Sequence, residues 1–112
     1  MSWRLTIRHG SDVKRHRFDA LDEAVDDLRR RADSIRAEGP LEDVEMIRDY
    51  KSGQRVHARL EITGPGRIRR PEAGLDVMGD GSLIAYRGAV FKKRLEPRDG
   101  QTPFDAVREA LL

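Results

Sequence analysis

The sequence predicts a single α+β domain over residues 1–112. Its core is a mainly antiparallel sheet of five or six strands, in the order ββ-α-ββ-ββ-α, with the long helix packed on one face. Three observations predict it. Residues 19–40 carry apolar side chains at steps of three and four, three turn-bearing segments join runs that alternate with period two, and a shorter helical pattern closes the chain.

The first hairpin comes from Trp3, Leu5 and Ile7 alternating with Arg4, Thr6 and Arg8, followed by the turn residues Gly10, Ser11 and Asp12. With Ser11 and Asp12 as the loop, Leu5 faces Phe18 and Ile7 faces His16, while Thr6 faces Arg17 and Arg8 faces Arg15. Two arginines directly opposite repel, so this outer face calls for a reason.

In the long helix, Leu21, Ala24, Val25, Leu28, Ala32 and Ile35 form one stripe. Asp19 is the expected N-cap with Asp22 three residues on, and Gly39 and Pro40 supply the stop. Acids lie in the first half and arginines in the second, with Asp26–Arg30 and Asp27–Arg31 as i,i+4 pairs. Such a stripe needs another surface to cover it.

Residues 44–50 and 55–62 read as a second hairpin. A three-residue loop, Lys51-Ser52-Gly53, pairs Val44 with Leu60, Met46 with Ala58 and Arg48 with Val56. Residues 64–74 are irregular, broken by three glycines and two prolines and locally basic at Arg67, Arg69 and Arg70. In the third hairpin Asp80-Gly81 marks the turn. A two-residue loop there sets Leu75 against Tyr86 and Val77 against Ile84 on the core side, leaving Met78, Leu83, Ala85, Ala89 and Phe91 on the other. At the end, Thr102, Pro103 and Asp105 make a capped helix start, and Phe104, Val107, Ala110 and Leu111 its buried stripe. This helix either joins the long one or covers the opposite face beside Phe91.

Composition narrows the function. The 22 basic and 20 acidic residues leave a net charge of only +2, so the chain is no polycation. Without cysteine there is no disulfide or thiolate chemistry, and no apolar run reaches the ~20 residues of a membrane span. These features, with no apolar leader at residues 1–10, predict a cytoplasmic protein that does not engage membranes. His9, His16 and His57 show no ligand spacing, so no metal or cofactor is expected. Asp22, Glu23, Asp26 and Asp27 are accounted for by the helix dipole and arginine pairing. Asp80 belongs to a turn, and no nucleophile stands near a base, so no catalytic residue is assigned and no enzyme is expected.

From residue 19 onward the order helix, three or more strands, helix resembles that of a double-stranded-RNA-binding domain. That family grips phosphates with a lysine-rich start to its second helix. Residues 101–105 hold no lysine here and include Asp105, and the N-terminal hairpin has no counterpart, so the chain is not assigned to it.

The favoured expectation is a non-catalytic interaction or assembly module, self-associating as a homodimer or meeting a protein partner. Its interface would be Met78, Leu83, Ala85, Ala89 and Phe91, an apolar face too contiguous to leave in water. The alternative is a nucleic-acid or other polyanion binder. It would use Arg4, Arg8, Arg15, Arg17, Lys92 and Lys93 with Arg67, Arg69 and Arg70 of the 64–74 loop.

Overall fold

The computed structural model describes residues 2–39, 55–66 and 70–112. Within them the chain runs β1 (Trp3–His9), β2 (Asp12–Phe18), α1 (Leu21–Arg36), β3 (Val56–Thr63), β4 (Glu72–Met78), β5 (Leu83–Arg87), β6 (Lys93–Arg94) and α2 (Pro103–Leu111). The strands form one antiparallel sheet in the order β2-β1-β3-β4-β5-β6. This is the α+β class expected from the sequence.

Both helices lie on the same side of the sheet. α1 touches β1 to β4, α2 touches β4 and β5, and the helices touch each other. Leu5, Ile7, Leu60, Ile62, Leu75 and Val77 from the sheet merge with Leu28, Ala32, Phe104 and Val107 into one core. The expected stripe of α1 is buried, with Leu21 at its margin. α2 therefore joins α1 instead of covering the other face, which carries no helix among the described residues.

The expected cap of α1 is not formed. Ala20 is the N-cap and makes no side-chain bond, although its carbonyl accepts from Ala24 N at 3.2 Å. Asp22 is instead engaged by Arg108 of α2, Nε to Oδ1 at 2.7 Å, which ties the two helices. Asp27 is buried and takes two arginines, Arg31 at 2.7 Å and Arg30. At α2 the expected box is present: Thr102 and Asp105 bond reciprocally and Pro103 opens the helix.

Register departs from expectation in each described hairpin. Between β1 and β2 the loop is Gly10-Ser11, because Gly10 supplies the positive φ of 62° and His9 pairs with Asp12. Partners slide by two residues, so Leu5 meets His16 and Thr6 meets Arg15 while the faces stay as expected. The arginines that meet are Arg4 and Arg17, and Arg8 meets Val13.

Between β4 and β5 the slip is one residue, and the faces exchange. Gly81 N donates to Met78 O at 2.9 Å, Met78 N donates to Ser82 O at 2.8 Å, and Gly81 takes φ 88°. The connection is thus a three-residue loop, Gly79-Asp80-Gly81, with the second glycine in the left-handed position. Leu75 now pairs with Ala85 and Val77 with Leu83 on the helix side, and Ile84 and Tyr86 turn to the open face.

The strand expected at 44–50, its loop Lys51-Ser52-Gly53 and Pro40 lie outside the described residues. Ala58 and Leu60, expected to pair with Met46 and Val44, are paired on both sides. Leu60 lies between Ile7 and Leu75, and Ala58 between His9 and Val77.

Candidate functional site

The open face is a ladder of charged side chains. β1 contributes Arg4, Thr6 and Arg8, β2 Arg15 and Arg17, β3 Arg59 and Glu61, and β4 Glu72 and Asp76. Its centre is internally compensated. Arg59 grips Asp76 through two bonds of 2.7 and 3.1 Å, and Arg8 Nε lies 3.7 Å from Glu61. The Asp76 carboxylate raises the Arg59 pKa, holding that guanidinium charged. Tyr86 lies over Gly74 with Arg59 and Lys92 above its ring at 5.7 and 5.5 Å. Burial drives its phenol pKa upward, so Tyr86 stays a neutral wall of this face.

Compensation fails at one corner. Arg4 and Arg17, paired across β1 and β2, meet Arg70 from the β3–β4 connection around a cleft of about 320 Å³. Ser2, Thr63 and the Gly64-Pro65-Gly66 backbone also line it, and among the described residues the lining holds no acid. The connection is drawn closed by Gly64 N donating to Pro71 O at 2.7 Å. A side chain at Gly64 would run into Pro71 and the Trp3 ring, so glycine is what allows that pinch. Arg70 Nε donates to Gly66 O at 2.5 Å, fixing the guanidinium at the rim. Arg4 Nε is buried with no hydrogen-bond partner among the described residues. A buried, unpaired donor on a cation is costly unless something answers it.

One acid, Glu72 of β4, stands near this corner, opposite Thr63. Glu72 has its pKa raised, chiefly by burial and then by a hydrogen bond with Glu61, and the charges of Lys92 and Arg4 only partly oppose that shift.

Of the other basic residues in the polyanion expectation, Arg15 stands on the same face opposite Thr6. Arg8 is occupied by Glu61, and Lys92 donates to Ala89 O at 2.7 Å while lying over Tyr86. Lys93 sits on β6 at the far edge, paired with Arg87. Arg67 and Arg69 lie outside the described residues.

The five residues of the expected apolar interface are not brought together. Ala85 is buried in the core under the helices, and Leu83 packs against that core. Met78 is buried, whereas Ala89 and Phe91 are exposed in the segment between β5 and β6. The one-residue change of register removes the common face on which that expectation stood.

The histidines also regroup. His16 lies opposite Leu5 and not Ile7, while His9 and His57, 48 residues apart in sequence, meet with their Nε2 atoms 3.1 Å from each other. Spacing along the chain carries no trace of that meeting, because β1 and β3 become neighbours only in the sheet. Set beside known proteins, the chain matches no family model, no curated protein and no solved structure.

Proposed function

We propose that this protein is a non-catalytic module that binds a phosphate-bearing polyanion at the Arg4–Arg17–Arg70 cleft. The observation that carries the reading is convergence. Three guanidinium groups from β1, β2 and a loop line one concavity that, among the described residues, holds no acid and leaves one buried donor without a partner. Guanidinium presents paired N–H donors in a plane that suits phosphate, and a glycine-rich backbone beside it lets the anion approach closely. Arg15 continues the positive strip along β2, giving an extended ligand more than one contact.

Fluorescence anisotropy with labelled single- and double-stranded oligonucleotides tests the reading. Binding should appear at ~50 mM salt and weaken steeply by ~200 mM, because each phosphate contact releases counterions. The double variant Arg4→Gln/Arg17→Gln should lower affinity about tenfold or more and flatten the salt slope by about two contacts. Lys93→Gln, at the far edge, should change little. Absence of binding by the wild type at ~50 mM salt overturns the proposal.

Self-association remains the second reading, now resting on a different observation. Val90 is 84% exposed and Phe91 90%, an apolar pair projecting between β5 and β6. Light scattering at high micromolar concentration tests it, and a monomeric mass refutes it.

A further inference from the structure

We infer that His9, His57 and Glu38 form a zinc-binding site at the end of the sheet opposite the arginine cleft. Three separate elements deliver the ligands. His9 is the last residue of β1. His57 stands at the bulge where β3 shifts register against β4 between Val56 and Ala58. Glu38 lies just past α1, in a turn fixed by Glu38 N donating to Ile35 O at 3.1 Å and Gly39 N to Arg36 O at 3.1 Å. Arg36 in turn donates to Gly81 O at 2.9 Å, which anchors that helix end to the β4–β5 turn.

The geometry is that of a coordination triangle. His9 Nε2 to His57 Nε2 is 3.1 Å, His9 Nε2 to Glu38 Oε1 3.2 Å and His57 Nε2 to Glu38 Oε1 3.5 Å. A tetrahedral zinc with ligands at roughly 2.0–2.1 Å holds its ligand atoms about 3.3 Å apart, the middle of that range. The two imidazole rings stand nearly edge to face, at 69°, with centroids 4.9 Å apart, so neither blocks the other's lone pair.

Protons alone satisfy this arrangement poorly. A hydrogen on one Nε2 serves one of the three contacts and leaves the remaining acceptors facing each other. One cation at the centre serves all three.

The surroundings permit the charge. Lys14 and Arg31 border the same hollow as His9 and Glu38, but Asp12 lies there too and Arg31 is committed to Asp27 at 2.7 Å. His57 is the most enclosed ligand and Glu38 the most open, with side chains 13% and 51% exposed, so water can reach the triangle beside Glu38 and would serve as a fourth ligand. Two imidazoles with one carboxylate favour zinc over magnesium, which prefers an all-oxygen shell.

Untagged protein titrated with zinc chloride in a calorimeter, and with cobalt(II) followed by visible absorption, tests the site. We expect one ion per chain, a cobalt spectrum of tetrahedral intensity, and a higher melting temperature with zinc but not with magnesium. His9→Ala and His57→Ala should each weaken zinc by at least about 100-fold, more than the ~10–100-fold typical of residues that only support a ligand. Glu38→Gln changes a half-exposed side chain without threatening the fold and should weaken binding about tenfold or more. His16→Ala should bind as the wild type does. Absence of zinc binding by the wild type, equal loss in His16→Ala, or unchanged affinity in Glu38→Gln together with either histidine variant overturns the inference.

Discussion

Replacing Gly74 by alanine adds one methyl group at the most crowded point of the open face. A Cβ there would stand 2.9 Å from Glu61 Cα and 3.0 Å from Tyr86 Oη, and would run into Leu60 O. Tyr86 can swing away, but the other two atoms belong to the backbone of β3, held by β1 on one side and β4 on the other. Overfilling a packed site costs typically 1–3 kcal/mol, so the strand-to-strand contact sets the upper part of that range. Against it stands a gain of roughly 0.4–1 kcal/mol, because alanine has less freedom than glycine in the unfolded chain. The loss wins, at about 2 kcal/mol net. With an unfolding entropy of about 2.1 cal/mol/K per residue, that lowers Tm by roughly 8 °C for a chain of this length. Urea denaturation followed through Trp3, the only tryptophan, measures it directly. A midpoint equal to or above that of the wild type, at unchanged slope, would show that β3 and β4 yield and that the glycine is not required.

Two further outcomes follow from burial and charge. Leu28 of α1 is fully buried beneath the sheet, so Leu28→Ala should cost about 3 kcal/mol, and a denaturation shift below about 0.5 kcal/mol would mean a loosely docked helix. Glu72 has a pKa raised by burial, so its protonated form is favoured in the fold. Its contribution is fully present below its ordinary value of 4.5 and is lost as pH rises through the elevated one. Glu72→Gln, which keeps the neutral shape, should therefore gain on the wild type as pH rises through that window. Asp80 and Asp105 have lowered pKa values and act in the opposite sense, so the wild-type profile alone will not isolate Glu72. Parallel profiles for the two proteins as pH rises from about 4 upward would refute the assignment.

What the sequence made legible was what depends on near neighbours. The stripe of α1, the Thr102–Asp105 box and the period-two strands within the described residues became structure, because three- and four-residue repeats and a capping side chain act within a turn or two. Register was not legible, and the reason lies in single glycines. Gly10 opens its loop one position before the expected one, and Gly81 closes a loop one residue longer than expected. The first slip, an even number of residues, spared the faces. The second, an odd number, put Ala85 in the core and Tyr86 outside it, dissolving an apolar interface argued from five residues. Pairing between β1 and β3 was equally hidden, since it joins segments separated by the whole of α1. The arginines could be named from composition, but which of them compensate each other could not. Arg8 and Arg59 are spent on Glu61 and Asp76, and only the sheet reveals that Arg4, Arg17 and Arg70 are left over.

β1 is the strand on which both proposed sites depend, and its geometry keeps them apart. Arg4 stands near its start on the open face, whereas His9 ends it on the helix side, opposite Ala58. Five residues of extended chain separate them, roughly 17 Å at about 3.3–3.4 Å per residue, which exceeds the ~8–10 Å screening length of ordinary buffers. A cation at His9 therefore adds little to the potential felt by an anion at Arg4. The core residues Leu5 and Ile7 between them are buried against α1 and β3, so β1 is held as a rigid spacer. What the two sites share is mechanical support. Zinc at the His9–Glu38–His57 triangle would tie β1, β3 and the end of α1 together, and Arg4 and Thr63 at the cleft belong to the same pair of strands. Tying β1 to β3 would steady Arg4 against Thr63, whereas Arg17 is held beside Arg4 by the separate β1–β2 pairing. Any coupling between the two proposed sites would therefore run through the β1–β3 pair and not through the charge of the metal.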